Sequence, residues 1–188
     1  VDIDLTYLPI EPREESLRNI SEALIRISES VPREIAGISV HKNRIGAFVS
    51  KLVVRAPEGE VKVEPNLVLR GAVGEPVTRS LSKRAQAKFE LSVSIKTLAE
   101  ADVFGGKVCA ALDRQHPRDL FDIKNLLEGP GLTPEIRKAF IVYLISHGRP
   151  MHEVIEPNRL DVRALYVAEF KDMTDETITY ESLVEARE

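Results

Sequence analysis

The chain has 188 residues, 43% of them hydrophobic and 30% charged, a composition that excludes a disordered protein and allows one or two folded domains. It has no apolar run of about 20 residues and no signal-peptide pattern, so we expect neither a membrane protein nor a secreted one. The net charge of −4 indicates no general affinity for nucleic acid. The single cysteine, Cys109, lies among apolar residues; it favours a reducing cytoplasm and is expected in the core.

The first seventy residues show mainly the two-residue period of β-strands. Alternating apolar side chains predict a strand over residues 3–7. Apolar residues at three- and four-residue spacing then predict an amphipathic helix from residue 13 to residue 31, which Pro32 should end. Three more strands are predicted, the last two joined by a hairpin: residues 38–40, 47–55 and 60–69.

Beyond residue 70 the pattern becomes mostly helical. Glycine and proline mark a loop at residues 71–76, four basic residues between 79 and 88 indicate a solvated loop and helix start, and alternation predicts a strand over 89–95. Helices are predicted over residues 98–112, 118–127, 133–147 and within 161–187. We therefore expect an α+β fold, with an α/β core in residues 1–97 and a helical part in residues 98–188.

Asp2 and Asp4 form the first candidate site. Residues i and i+2 of a strand point to the same face, so the two carboxylates should project together. Carboxylates in such proximity repel each other unless a cation lies between them, and oxygen ligands of this kind suit Mg²⁺. The alternative is the solvent-facing side of an edge strand.

Lys62 and Glu64 lie on another predicted strand and form the second candidate site. Glu64 could add a third carboxylate to the aspartate pair, and three carboxylates from two strands could hold the two metal ions used in phosphoryl transfer. The alternative is a surface alternation of lysine and glutamate that contributes little.

The third candidate site runs from Lys107 to Asp122. Asp119 and Asp122 are three residues apart on one predicted helix, and Arg118 and Asp122 are four apart, so they share a helix face. Lys107 could contact a triphosphate as a point charge. The alternative, which applies to Arg114 as well, is a network of ion pairs that joins two helices around the turn at Pro117.

In sequence and in order, these three elements resemble the AbiEii/AbiGii toxin family of nucleotidyltransferases. The specific part is Arg118-Asp119-Leu120-Phe121-Asp122 after Lys107 and Asp113-Arg114, which is similar to the family's C-terminal signature. Asp2-Ile3-Asp4-Leu5 resembles the metal-binding Asp-x-Asp, and Lys62-Val63-Glu64 resembles a further carboxylate motif. The similarity extends over about residues 1–128.

The resemblance implies a polymerase-β-like nucleotidyltransferase core with a mixed sheet and flanking helices, in a Mg²⁺-dependent enzyme with a pair of metal ions. Asp2, Asp4 and Glu64 would hold the metal, and Lys107 and Asp119 would complete the catalytic residues. The implied substrate-binding residues are Lys62, Arg114, Arg118 and Asp122. A nucleotide would pass from an NTP to an RNA acceptor, such as tRNA, or to a protein, and a cognate antitoxin would be the protein partner.

One element of the family pattern does not occur in the sequence. Family members carry a Gly-Gly or Gly-Ser segment upstream of Asp-x-Asp, which receives the triphosphate through backbone N–H groups, and this sequence starts at the aspartates. We therefore expect a fragment of a longer protein. The alternative function is a catalytically inactive domain that binds a partner protein or RNA.

Overall fold

The computed structural model describes residues 2–174 and 177–187, and the chain divides into two compact units, Val1–Ala72 and Val73–Glu188. This division comes earlier in the chain than the expected boundary between residues 97 and 98. The α+β class is confirmed: a mixed four-stranded sheet belongs to the first unit, and most helices belong to the second.

The first unit combines one sheet with one helix. Its elements are β1 (Asp2–Tyr7), α1 (Arg13–Glu34), β2 (Ser39–Ile45), β3 (Phe48–Ala56) and β4 (Gly59–Arg70). The strand order is β1-β4-β3-β2, with β1 parallel to β4 and the other neighbours antiparallel. The mixed sheet and the hairpin between β3 and β4 agree with the sequence prediction.

Helix α1 covers one face of this sheet. Ile20 and Leu24, one helical turn apart, are buried in a common core with Leu52 of β3 and Val63 of β4. Leu52 and Val63 are direct partners in the antiparallel ladder, so they point to the same face. Because successive side chains of a strand alternate, the residues on either side of Leu52 and Val63 point to the opposite face.

The end of α1 differs from the prediction. Pro32 lies inside the helix, which continues to Glu34. Proline removes only its own N–H from the helical ladder, and the next turn still closes because the N–H of Ile35 donates to the carbonyl of Val31 at 3.0 Å.

The second unit begins with a two-stranded ribbon and continues as helices. Its elements are β5 (Val77–Ser80), α2 (Lys83–Phe89), β6 (Ser94–Thr97), α3 (Glu100–Arg114), α4 (Pro117–Glu128), α5 (Pro134–Ile145), α6 (Met151–Ile155), α7 (Arg163–Glu169) and α8 (Tyr180–Glu185). The helices predicted at 98–112, 118–127 and 133–147 are confirmed with small changes at their ends. Neither β5 nor α6 was predicted.

The predicted strand over residues 89–95 is wrong in its first half. Phe89 is the last residue of α2, and only Ser94–Thr97 form a strand, β6. Helix α2 ends because Glu90 adopts a left-handed backbone, with φ of 50°. Glycine usually occupies the left-handed position at the end of a helix, so the glutamate at this position gave no sequence signal that the helix ends here.

Helix α3 packs closely against α5. A Cβ added to Gly105 would lie 2.7 Å from the backbone nitrogen of Phe140, so only glycine allows this approach. Gly106 has open space around it. In the part of the chain that the structure describes, no helix has the length and apolar character to cross a lipid bilayer.

Candidate functional site

The first group of candidate residues lies on the sheet face opposite α1. In the parallel pairing of β1 with β4, Asp2 is the partner of Lys62, and Asp4 is the partner of Glu64. Partners in a ladder point to the same face, and so do residues two apart on a strand. The structure therefore brings together four residues singled out in the sequence: Asp2, Asp4, Lys62 and Glu64.

Lysine side chains neutralise two of these three carboxylates. Lys62 Nζ lies 3.8 Å from Asp2 Oδ1, and Lys51 of β3 forms an ion pair with Glu64. Asp4 is exposed, and its side chain has no hydrogen bond or ion pair with any residue that the structure describes. We give the name sheet-face cluster to Asp2, Asp4, Lys51, Lys62 and Glu64.

Sequence reasoning missed Lys51, although a signal existed. The β3–β4 hairpin pairs Leu52 with Val63, so Lys51 must lie across from Glu64 once the hairpin register is known. The predicted hairpin was enough to infer this neighbour.

The donor chemistry of the sheet-face cluster fits Mg²⁺, which prefers carboxylate oxygens and retains several waters when it binds proteins. Asp2, Asp4 and Glu64 offer such oxygens from adjacent strands. Within residues 2–174 and 177–187, however, no three His, Cys, Asp or Glu side chains form a group that could hold a metal ion as they are placed. A bound Mg²⁺ would therefore have to replace Lys62 beside Asp2 and Lys51 beside Glu64.

The second group of candidate residues lies on α3 and α4. Gln115, with φ of 51°, ends α3, and the His116 side chain caps α4 by accepting the N–H of Arg118 at 3.2 Å. Pro117 occupies the first helical position, where its missing N–H costs nothing. This short connection places α4 directly against α3.

Two ion pairs join these helices. Lys107 of α3 pairs with Asp122 of α4. Arg114 of α3 binds Asp119 of α4 in a bidentate manner, with Nη2 2.6 Å from Oδ1 and Nε 3.1 Å from Oδ2. Asp119 is buried, with 8% of its surface exposed. We call Lys107, Arg114, Asp119 and Asp122 the helix-pair cluster.

Arg118 does not join the helix-pair cluster. Its Nη2 lies 4.0 Å from Oε2 of Glu169, the last residue of α7. The same carboxylate lies 3.2 Å from His116 Nε2. The structure therefore contains the ion pairs between two helices that were expected as the alternative to substrate contact, and Arg114 takes part in them. Arg118 does not, and its guanidinium group lies on the exposed surface.

Asp102 is a buried carboxylate that sequence reasoning missed. It accepts hydrogen bonds from the backbone N–H groups of Val73 and Gly74, at 2.7 and 2.9 Å, and from the Tyr143 hydroxyl at 2.8 Å. Burial and this carboxylate raise the pKa of Tyr143. No local pattern could reveal Asp102, because its partners lie about thirty and forty residues away in sequence.

The cysteine is a core residue, as expected. Cys109 is buried on α3, and its thiol lies 3.7 Å from the carbonyl oxygen of Phe140. Burial raises the pKa of the thiol to about 11. The thiolate is the reactive form, so Cys109 is a poor nucleophile at neutral pH.

Comparison with known proteins supports a single family. A family model described as "Nucleotidyl transferase AbiEii toxin, Type IV TA system" matches residues 1–186, nearly the whole chain. Neither a curated protein nor a solved structure matches the chain significantly.

Proposed function

The chain belongs to the AbiEii family of nucleotidyl transferase toxins, and we propose that it transfers a nucleotide from an NTP to an acceptor in a Mg²⁺-dependent reaction in the cytoplasm. RNA, tRNA in particular, is the first acceptor to test, and protein is the second. The observation that carries the proposal is the direct pairing of Asp4 with Glu64 in neighbouring parallel strands.

The reaction is a substitution at the α-phosphate of the NTP. A hydroxyl oxygen of the acceptor forms a bond to the α-phosphorus, the bond from that phosphorus to the bridging oxygen breaks, and pyrophosphate leaves. The hydroxyl proton passes to solvent water, which reaches the exposed sheet face. Mg²⁺ held by Asp2, Asp4 and Glu64 would neutralise the charge that develops on the phosphate oxygens.

In this proposal the lysines of the sheet-face cluster have two tasks. While the site is empty they offset the repulsion among the three carboxylates. When metal binds, Lys62 is released from Asp2 and becomes available to the phosphates of the NTP as a point charge. The exposure of the Lys62 side chain, 41%, allows this movement.

The helix-pair cluster has a different proposed role. Lys107 and Asp122 are partly exposed, so their pair can open to a nucleotide or an acceptor. Asp119 is held by both nitrogens of the Arg114 fork and is less free to move. We therefore assign substrate contact to Lys107 and Asp122 first, and to Arg114, Arg118 and Asp119 second.

The family is named for toxins of toxin–antitoxin systems, so a cognate antitoxin is the expected protein partner. The alternative function, a catalytically inactive domain that binds a partner protein or RNA, is favoured by one observation. Lys51 and Lys62 already pair with Glu64 and Asp2 and could replace a metal ion permanently.

The test is transfer of label from each α-labelled NTP, with Mg²⁺, to tRNA, to total RNA and to protein. It is run on this chain. Asp4→Ala should reduce transfer by about 100-fold or more, as expected for a residue that acts on the reacting groups. The matched control is Glu58→Ala, an exposed carboxylate in the β3–β4 turn, which should transfer at the wild-type rate.

The two candidate functions give opposite results. Transfer that is lost in Asp4→Ala and kept in Glu58→Ala supports the enzyme, and the labelled molecule identifies the acceptor. No transfer by the folded chain would favour the partner-binding domain, whereas full transfer by Asp4→Ala would contradict the proposed site.

A further inference from the structure

The segment from β5 to β6, residues 77–97, differs in charge from the rest of the chain. It contains five basic residues and one acidic residue, whereas the whole chain has a net charge of −4. The basic residues are Arg79, Lys83, Arg84, Lys88 and Lys96. We call this segment the ribbon element, since it consists of the β5–β6 ribbon with α2 in the connection.

Three cations of the ribbon element are available to a ligand. Lys83, Lys88 and Lys96 are exposed and form no ion pair with any residue in the described ranges. Arg79 differs, because its Nη2 lies 2.8 Å from Glu100 Oε2. A polyanion could neutralise the three lysines without displacing an existing partner.

One face of the ribbon carries only polar side chains. Thr78 is the ladder partner of Lys96, and Ser80 is the partner of Ser94. Partners point to one face, so this face presents three hydroxyl groups and one ammonium group, with the Ser80 and Ser94 hydroxyls hydrogen-bonded to each other at 2.7 Å. Hydroxyl, lysine and backbone N–H groups are the usual donors to phosphate oxygens in nucleic-acid complexes.

An aromatic side chain accompanies these donors. Phe89 directly follows Lys88 at the end of α2, and 67% of its surface is exposed. Single-stranded nucleic acids bind to surfaces that combine exposed aromatic rings with cations, with the bases stacked on the rings and the phosphates held by the cations.

We propose that the ribbon element binds a single strand of RNA, with phosphates at Lys83, Lys88 and Lys96 and a base stacked on Phe89. The choice of RNA over DNA rests on the proposed function, in which RNA is the acceptor.

The experiment measures binding of a fluorescently labelled single-stranded RNA by anisotropy, with the full chain and without NTP. Each phosphate contact to a single strand contributes a slope of about −0.7 to the dependence of log K on log salt. Three contacts predict a slope of about −2, or about a 20-fold loss of affinity from 50 to 200 mM salt.

Lys83→Glu with Lys88→Glu should weaken RNA binding by about tenfold or more and reduce the salt slope by about 1.4, the share of two contacts. The matched control is Arg137→Glu with Lys138→Glu, which makes the same charge change on the exposed surface of α5. Neither control residue has an ion pair within the described ranges. The RNA affinity of the control variant should stay within about threefold of wild type, because a distant charge is screened by salt. Phe89→Leu, which keeps an apolar side chain, should lose several-fold in affinity.

An equal loss of RNA affinity in the Lys83→Glu, Lys88→Glu charge reversal and in the control would overturn the proposal. RNA affinity at the wild-type level in this charge reversal, with an unchanged melting temperature, would also overturn it. Wild-type binding by Phe89→Leu would overturn the stacking contact, and equal affinity for DNA of the same sequence would overturn the choice of RNA. Because no NTP is present, RNA binding that the reversal weakens and the control keeps supports the surface even where no nucleotide transfer is detected.

Discussion

The carboxylates of the two clusters are held in different ways. On the sheet face, Asp2 and Asp4 are exposed, and their positions follow from the ladder between β1 and β4. In the helix pair, Asp119 is buried, and its position depends on two hydrogen bonds from Arg114. The backbone positions the first set, whereas side-chain pairs position the second.

This difference separates residues that can change partners from residues that hold the fold. An exposed carboxylate on a rigid ladder can release a lysine and accept another ligand at little cost, because water solvates it in both states. A buried carboxylate that loses its arginine must keep an uncompensated charge away from water, which costs several kcal/mol at full burial. We expect Asp4 to affect activity and Asp119 to affect stability.

The largest expected effect on stability tests the packing that supports the helix pair. Gly105→Ala should destabilise the second unit, because its Cβ would lie 2.7 Å from Phe140 N and 2.8 Å from Ala139 Cβ. Overpacking costs about 1–3 kcal/mol and outweighs the gain of about 1 kcal/mol in helix propensity. Hydrogen exchange should speed up in α3 and α5 and stay unchanged in β3 and β4.

Gly106→Ala is the matched control for that variant. Gly106 lies in the same helix with open space at its Cβ position, so alanine should raise stability by up to about 1 kcal/mol. Both variants gain the same helix propensity, so they should differ by the overpacking cost alone, about 1–3 kcal/mol. Equal stability of Gly105→Ala and Gly106→Ala would show that α3 and α5 can move apart at little cost, so that their contact does not fix the position of α3.

A smaller effect compares the two clusters directly. Asp119→Asn removes the charge that Arg114 binds, and we expect a loss of about 1–2 kcal/mol, because Arg114 itself stays largely solvated. Asp4→Asn removes no hydrogen bond within the described residues and should change stability by less than about 0.5 kcal/mol. Urea denaturation measures both, and a larger loss for Asp4→Asn would reverse the assignment of roles.

The sheet-face cluster was predictable because short-range periodicity determines most of it. The two-residue period placed Asp2 and Asp4 on one face, and the hairpin between β3 and β4 was visible as a turn. Only the order of the strands, which makes Asp4 the partner of Glu64, required contacts distant in sequence.

The second unit was less predictable because its local signals are misleading or absent. The alternation over residues 89–95 does not mark a buried strand face, since Phe89, Leu91, Val93 and Ile95 are all exposed. Helices α2 and α3 both end at non-glycine residues with positive φ, Glu90 and Gln115. The ion pairs Lys107–Asp122 and Arg114–Asp119 were expected as an alternative, because spacing on adjacent helices permits them but does not decide between them and substrate contact.

The smallest expected effect concerns a third kind of carboxylate, held by neutral donors. The N–H of Arg163 and the Tyr180 hydroxyl bind Asp161 Oδ1 at 2.9 and 3.2 Å, and in that order they hold the pKa of Asp161 below its usual value. A lowered folded-state pKa stabilises the fold above the unfolded pKa, about 3.9, and this stabilisation is lost as pH falls through the folded value. Asp161→Asn keeps the acceptor oxygen and removes only the charge. Its melting temperature should be slightly below wild type at pH 7, and the gap should close in strong acid. A gap that persists in acid would show that the carboxylate acts through its shape instead of its charge.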